Sequence, residues 1–143
     1  MKRGFTLIEI LITIALIGIV SFLISIRSSN ISQQAKITNT IEEMRQLKMA
    51  IMGNPILGIK GYYGDLGKLP NSLDDLVNKP SSEPNWDKFT ERGWNGPYIQ
   101  NSGYDKDAWG NNYFYSSING TITSAGPDGI FGTTDDITIN LWK

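Results

Sequence analysis

A long apolar run near the N-terminus constrains the fold of this chain more than any other feature. Residues 5–26 read FTLIEILITIALIGIVSFLISI, and Glu9 is the only charged residue among these 22. As an α-helix, the run would span about 33 Å, which is enough to cross a bilayer core. Lys2 and Arg3 precede it, so the positive-inside rule places the short basic start in the cytoplasm and the rest outside.

Two simpler interpretations of this run are a cleavable secretory signal and a plain signal anchor. The run is longer than the roughly 7–15 apolar residues of a secretory signal, and no small-residue A-x-A site follows it. A plain anchor does not explain Glu9, because a carboxylate inside an apolar helix costs about 2.5–3.5 kcal/mol and normally marks a function or a partner. If the chain is cut between Gly4 and Phe5, the new α-amino group of a neighbouring subunit could supply a cation.

The segment KRGFTLIEILITIALIGIV resembles the class III leader and N-terminal helix of type IV pilins and type II secretion pseudopilins. The resemblance rests on a short basic leader ending in Gly4, on Phe5 at the new terminus, on Glu9 at the fifth position of the cut chain and on Gly18 at the fourteenth. It implies that a prepilin peptidase cuts after Gly4 and that Phe5 is N-methylated. It also implies that Glu9 is the counter-charge to the N-terminus of the next subunit during assembly.

Charge and residue usage argue against several function classes. The chain has 13 basic and 14 acidic residues, a net charge of -1, so it lacks the basic excess typical of nucleic-acid-binding proteins. It contains neither histidine nor cysteine, which removes thiol nucleophiles, imidazole bases, disulfides and the usual zinc sites. We therefore expect no nucleic-acid partner and no enzyme activity.

Residues 27–52 predict an amphipathic helix that continues the apolar run to about residue 52, where Gly53-Asn54-Pro55 ends the pattern. Coiled-coil pairing is the alternative, but the heptad pattern lasts barely three repeats, so we expect this helix to pack on a sheet of its own domain. The apolar positions of its stripe are Ile31, Ala35, Ile37, Ile41, Met44, Leu47 and Ile51.

Residues 53–96 are rich in Gly, Pro, Asn, Asp and Ser, and they predict a variable loop with one short helix that Ser72 caps. Aromatic residues are expected to pack over this loop and not to bind a ligand; they are Tyr62, Tyr63, Trp86 and Trp94.

The C-terminal region, residues 97–143, predicts a small antiparallel sheet. Asn119-Gly120 is typical of a type I′ hairpin turn. Residues 107–113, DAWGNNY, resemble the D-P-W-G-N-P-Y element of type II major pseudopilins. We interpret Trp109 in this segment as a buried anchor. The predicted fold is α+β, with a long N-terminal α-helix packed on three to four antiparallel strands. Strand-like runs occur at residues 98–100, 112–118, 121–125 and 137–142.

The segment 124–137, SAGPDGIFGTTDDI, contains three carboxylates, those of Asp128, Asp135 and Asp136. Its glycines let the backbone fold back, and carboxylates that meet would repel each other unless a cation joined them. Calcium suits oxygen ligands in an irregular loop, although the spacing is not that of an EF-hand. From residue types alone, a solvated acidic turn is an equally good interpretation.

The same segment resembles the S-x-G-x-D-G…D-x-D-I loop of type II major pseudopilins, which binds calcium. The resemblance implies a structural Ca²⁺ with Ser124, Asp128, Asp135 and Asp136 as candidate ligands. Asp135 directly precedes Asp136, whereas the family has two aspartates two positions apart.

These features predict a leader (residues 1–4), a transmembrane and filament-core helix (residues 5–26) and an extracytoplasmic pilin-like head (residues 27–143). The expected function is that of a structural subunit of a type II secretion pseudopilus, which polymerises through its N-terminal helix and helps drive protein export. A major or minor type IV pilin, acting in adhesion, motility or DNA uptake, is the alternative. A metal-assisted hydrolase using the three aspartates is a third hypothesis, which the missing histidine and nucleophile disfavour.

The resemblance also implies partners and a location. Besides other copies of the chain in a homopolymer, the partners are the prepilin peptidase, the minor pseudopilins and the inner-membrane assembly platform. The chain is expected to cross the bacterial inner membrane once, with its head in the periplasm, and to assemble into a periplasmic or extracellular filament.

Overall fold

A computed structural model describes residues 6–100 and 103–143. Two helices, α1 (Leu7–Met52) and α2 (Gly61–Leu66), are followed by three strands, β1 (Phe114–Ser116), β2 (Thr121–Ser124) and β3 (Ile137–Asn140). Short 3-10 helices lie at Pro55–Leu57, Leu73–Leu76 and Gly126–Asp128. A long N-terminal helix with a small antiparallel sheet is an α+β fold, so the predicted fold class is confirmed. The predicted cleavage site, Gly4 and Phe5, lies outside the described residues.

The chain forms two compact units, an N-terminal unit (Met1–Ala35) and a C-terminal unit (Lys36–Lys143). In the C-terminal unit, the end of α1 packs against the sheet and against the segment between α1 and the sheet. The buried core consists of Met44, Leu47, Ala50 and Ile51 from α1, Tyr62 from α2, Leu73 and Leu76 from a 3-10 helix, and Tyr113, Ile122 and Leu141 from the C-terminal region.

The predicted apolar stripe of α1 is buried over only part of its length. Met44, Leu47 and Ile51 are at most 1% exposed, whereas Ile31 is 69% exposed and Ile41 is half-buried. Helical spacing identifies the residues that share one face. It does not indicate how far along that face the rest of the chain extends, which is why the stripe was predicted too long.

The segment between α1 and the sheet contains more helix than the predicted single short helix. The 3-10 helix Pro55–Leu57 and α2 precede the predicted one at Leu73–Leu76. Asn54 caps the first of them, because its Oδ1 accepts two backbone N–H groups at 3.0 and 3.3 Å. Ser72 is the N-cap of the last, as predicted, and Asp75 completes a capping box there.

Two of the four aromatic side chains of this segment, Tyr62 and Trp94, pack as predicted. Tyr62 is fully buried, and its ring meets that of Tyr98 edge to face at 5.5 Å. Trp94 meets Tyr98 at 5.8 Å, and its Nε1 donates a hydrogen bond of 2.9 Å to the carbonyl of Asp75. Burial raises the pKa of Tyr62 to about 12, so its phenol is neutral at physiological pH.

Over the described residues, the sheet has three antiparallel strands in the order β1-β2-β3. β2 is therefore central, and its Ile122 is completely buried in the core. Ser116 pairs with Thr121, and Ser124 pairs with Ile137. Residues 98–100, predicted as a weak strand, do not form one.

The predicted type I′ turn between β1 and β2 is wrong. Because Ser116 pairs with Thr121, the connection has four residues, 117–120, and only Gly120 among them has a positive φ, +63°. A Cβ at this position would also lie 2.3 Å from Nε1 of Trp142, so any other residue would displace that half-exposed side chain. The Ser116 hydroxyl accepts the N–H of Asn119 at 3.2 Å and stabilises the longer loop.

Polar contacts fix the C-terminal region on α1. Tyr113 donates its hydroxyl to Oε2 of Glu43 at 3.0 Å, and burial together with this carboxylate raises the pKa of Tyr113. Lys48 donates to the carbonyls of Asn140, at 2.9 Å, and of Lys143. These bonds add a defined register to the apolar contact.

We expect Leu47→Ala to lower the free energy of unfolding by about 2–5 kcal/mol, because it leaves a cavity in the core. Met49→Ala is the matched control, since Met49 lies two residues away on α1 and is 44% exposed; its cost should stay below about 0.5 kcal/mol. Denaturant unfolding of the full chain in detergent micelles measures both. Equal losses would contradict this assignment of the core.

Candidate functional site

Thr6 and Glu9 close the N-terminal end of α1. Oγ1 of Thr6 accepts the N–H of Glu9 at 3.4 Å, and Oε2 of Glu9 accepts the N–H of Thr6 at 3.5 Å. This reciprocal capping box provides acceptors for two N–H groups at the helix start. In residues 6–100 and 103–143 no ion pair includes Glu9, so no cation there neutralises its charge.

The first turns of α1 expose apolar side chains on every side. All of the large ones between Leu7 and Phe22 are 49–77% exposed. Gly18 lies on this surface, and a Cβ built there would meet no atom within 4 Å. A helix that is apolar all round requires an apolar cover.

Across the described residues, no helix combines the length and the apolar character that a membrane crossing needs.

The acidic loop, residues 125–136, joins β2 to β3 and is held by hydrogen bonds to its own carboxylates. Asp135 accepts the Thr133 hydroxyl at 2.6 Å through Oδ1 and the N–H of Asp128 at 3.2 Å through Oδ2. Oδ2 of Asp136 accepts the N–H of Gly132 at 2.8 Å. The bond from Thr133 is the main cause that lowers the pKa of the Asp135 carboxyl below its ordinary value.

Asp136 has one oxygen that these bonds do not use. Its Oδ1 is buried and has no hydrogen-bond partner among the described residues. Because buried polar atoms are nearly always paired, this oxygen is suited to contact a donor or a cation. Among residues 6–100 and 103–143, no three acidic side chains form a group that could hold a metal.

Ser124, the fourth predicted calcium ligand, uses its hydroxyl otherwise. Its Oγ donates to Oδ2 of Asp107 at 2.6 Å and accepts the N–H of Gly126 at 3.1 Å, with both side chains buried. Of the predicted ligands, Asp128 and Asp135 are linked directly, because the N–H of Asp128 donates to the Asp135 carboxylate, while Ser124 is directed to Asp107.

Asp107 is a residue that sequence reasoning missed. Trp109, predicted as the buried anchor of this turn, is half-buried, whereas Asp107 is 6% exposed. Oδ1 of Asp107 accepts the N–H groups of Trp109 and Asn111 at 3.0 and 2.9 Å. An aspartate just before a turn with glycine, here Gly110 with a φ of +90°, is the sequence signal that could have identified it.

Two family models match the sequence. Residues 1–25 match the prokaryotic N-terminal methylation motif, and residues 29–142 match the model described as type II secretion system protein G. The second match covers most of the chain.

The chain belongs to the type II secretion system protein G family.

Curated relatives agree with this assignment. The type II secretion system core protein G of Escherichia coli K12 is 29% identical over 96% of this chain and 90% of its own length. The proteins of the same name from Klebsiella pneumoniae and Pseudomonas aeruginosa are 29% and 30% identical, over 95% and 99% of this chain and 92% and 95% of their own. No solved structure matches the chain.

Membership of this family confirms the predicted major pseudopilin of type II secretion. Proteins of the family are structural pseudopilins of the secretion apparatus, so the prediction that the chain is not an enzyme is confirmed as well. The type IV pilin is not favoured.

We expect Thr133→Val to raise the pKa of Asp135 toward its ordinary value, because the hydroxyl that stabilises the carboxylate is lost. A lowered Asp pKa stabilises the fold above the ordinary value near 3.9, and this contribution disappears as the pH falls through the lowered value. NMR titration of the full chain without calcium measures the pKa, and Thr134→Val is the control. An unchanged Asp135 pKa in Thr133→Val would contradict the role of this bond.

Proposed function

We propose that this chain polymerises through its N-terminal helix into the pseudopilus of a type II secretion system and thereby helps to drive protein export. The observation that carries the proposal is the exposed apolar surface of α1 from Leu7 to Phe22, with Glu9 at its start. Packing of this surface against the same surface of other copies would remove it from water. The match of residues 1–25 to the methylation motif supports the same assembly route.

Processing creates the charge that Glu9 needs. A prepilin peptidase would remove residues 1–4 after Gly4 and methylate the new amino group of Phe5. That amino group is a cation at the edge of an apolar region, where a carboxylate without a partner is costly. The N-terminus of one subunit would therefore pair with Glu9 of the next and set the axial register of the filament.

The order of basic and apolar residues at the N-terminus supports a location for the chain, and its family supports further partners. Lys2 and Arg3 would stay in the cytoplasm while residues 5–26 cross the inner membrane once, leaving the head in the periplasm. The inner-membrane assembly platform would extract the processed subunit into the filament, and minor pseudopilins would join the same polymer. Nucleic acid is not expected among the partners.

We also propose that the acidic loop binds a structural Ca²⁺. The unpaired, buried Oδ1 of Asp136 supports a cation there, and calcium accepts carboxylate and carbonyl oxygens in irregular loops. Asp136 would contact the ion through Oδ1, and Asp128 and Asp135 would have to move toward it to act as further ligands, together with backbone carbonyls. Bound calcium would neutralise their charges and stabilise a small exported unit that contains no cysteine for a disulfide.

We expect Glu9→Ala to abolish most of the filament, because the N-terminus of each incoming subunit loses its counter-charge. Glu42→Ala is the matched control, since Glu42 is an exposed acid of the same helix that pairs with Arg45 at 3.5 Å. Crosslinking in the producing cell measures the polymer, and the mass of the purified chain shows whether residues 1–4 have been removed. Undiminished polymer in Glu9→Ala would refute the role of Glu9, and an intact leader in the polymer would refute the processing step.

We expect calcium at about 100 times its Kd to raise the melting temperature of the full chain in detergent micelles by on the order of 10 °C, and a chelator to reverse this. Asp136→Ala should remove the response, whereas Asp105→Asn, outside the loop, should keep it. A wild-type melting temperature that is the same with calcium and with chelator would refute the calcium site.

A further inference from the structure

Ser124 and Asp107 form a buried polar contact next to the neck of the acidic loop. The Ser124 side chain is 0% exposed and Asp107 is 6% exposed. The hydroxyl donates to Oδ2 of Asp107 at 2.6 Å, which is typical of a strong O–H to carboxylate bond. Oγ of Ser124 also accepts the N–H of Gly126 at 3.1 Å. One hydroxyl therefore connects a buried carboxylate to the first turn of the loop.

At this neck the two ends of the loop lie very close together. Gly126 has a φ of +65°, and a Cβ built on it would lie 2.3 Å from the carbonyl oxygen of Asp135. Ser124 and Ile137, just outside the neck, are paired between β2 and β3. A bond that fixes Gly126 consequently also restrains the segment with Asp135 and Asp136, which directly precedes β3.

The other side of the contact is anchored to α1. Asp107 is held in its turn by the N–H groups of Trp109 and Asn111. The N–H of the neighbouring Ala108 donates to the hydroxyl of Thr40 at 3.2 Å, and Thr40 is fully buried on α1. A continuous path of hydrogen bonds and one peptide linkage thus joins the helix to the loop.

We propose that Asp107 is the positioning residue of the acidic loop and that Ser124 links Asp107 to Gly126 and does not act as a metal ligand. The two hydrogen bonds of the Ser124 hydroxyl, to Asp107 and from Gly126, are called the relay. This proposal refines the proposed calcium function. Its part that concerns metal affinity rests on that function. When the relay is cut, the loop still contains its own carboxylates, but the neck that orients them becomes more flexible. Calcium affinity then falls without being abolished.

Ser124→Ala is the sharpest test, because it cuts the relay and leaves the bonds from Trp109 and Asn111 to Asp107 intact. Asp107→Asn is the second variant; it keeps an acceptor for those two N–H groups but turns a donor toward Ser124. Ser116→Ala is the matched control, since the Ser116 hydroxyl likewise accepts one N–H, that of Asn119, in the other loop of the same sheet.

Amide hydrogen exchange of the full chain in detergent micelles is followed in chelator and in calcium. In chelator, exchange of residues 126–136 should accelerate about tenfold in Ser124→Ala, the factor expected for one lost buried hydrogen bond, and should not change in Ser116→Ala. Asp107→Asn should accelerate it less, because the new amide can still donate to Oγ of Ser124. Calcium titration should show the Kd raised about tenfold in Ser124→Ala and by a smaller factor in Asp107→Asn. Exchange in Ser124→Ala that matches the wild type would overturn the proposal.

The remaining outcomes separate the two proposals. If calcium changes neither exchange nor melting of the wild type, the calcium function fails, and the exchange measured in chelator alone decides the positioning role. If Ser124→Ala loses calcium binding while its loop exchanges normally in chelator, Ser124 is a ligand and the relay is refuted.

Discussion

The C-terminal unit depends on the burial of the last turns of α1. Met44, Leu47 and Ile51 share one buried core with Ile122 of β2 and with Tyr62, Leu73 and Leu76 of the segment before the sheet. Short strands such as β1, β2 and β3 do not form a stable sheet alone, so the helix is the second layer that the fold needs. Contacts from Glu43 and Lys48 then select one alignment of helix and sheet. A single helix thus provides a core face near its end and an apolar outer surface near its start.

The sequence was most informative where a repeating pattern carried the signal. The long helix follows from the apolar run that begins at residue 5 and from Gly53-Asn54-Pro55, which ends it, and β2 and β3 follow from β-branched runs. α2 was missed because GYYGDL contains two glycines and only one turn and a half of helix. The turn at Asn119-Gly120 was misjudged because local turn preference competes with the strand register, which pairs Ser116 with Thr121 and leaves four residues in the connection.

The candidate sites were also predictable from the sequence only in part. The acidic loop can be located from sequence, because aspartate and glycine at close spacing indicate a turn, but the spacing does not decide between a metal site and a solvated turn. The role of Ser124 could not, since its hydroxyl binds Asp107, which is 17 residues distant in the chain. Choosing between a metal and a buried aspartate as its partner requires the tertiary arrangement. Asp107 is itself a charged residue that is buried because three donors satisfy it, a condition that composition does not indicate.

The shortness of the outer strands limits how copies of this chain can associate. β1 has three residues and β3 has four, and each is an edge of the sheet. Edges this brief offer few unpaired N–H and C=O groups as a template for strand addition. Crowding many copies side by side therefore carries little risk of continuous intermolecular sheet, and contacts between subunits are left to helices and side chains.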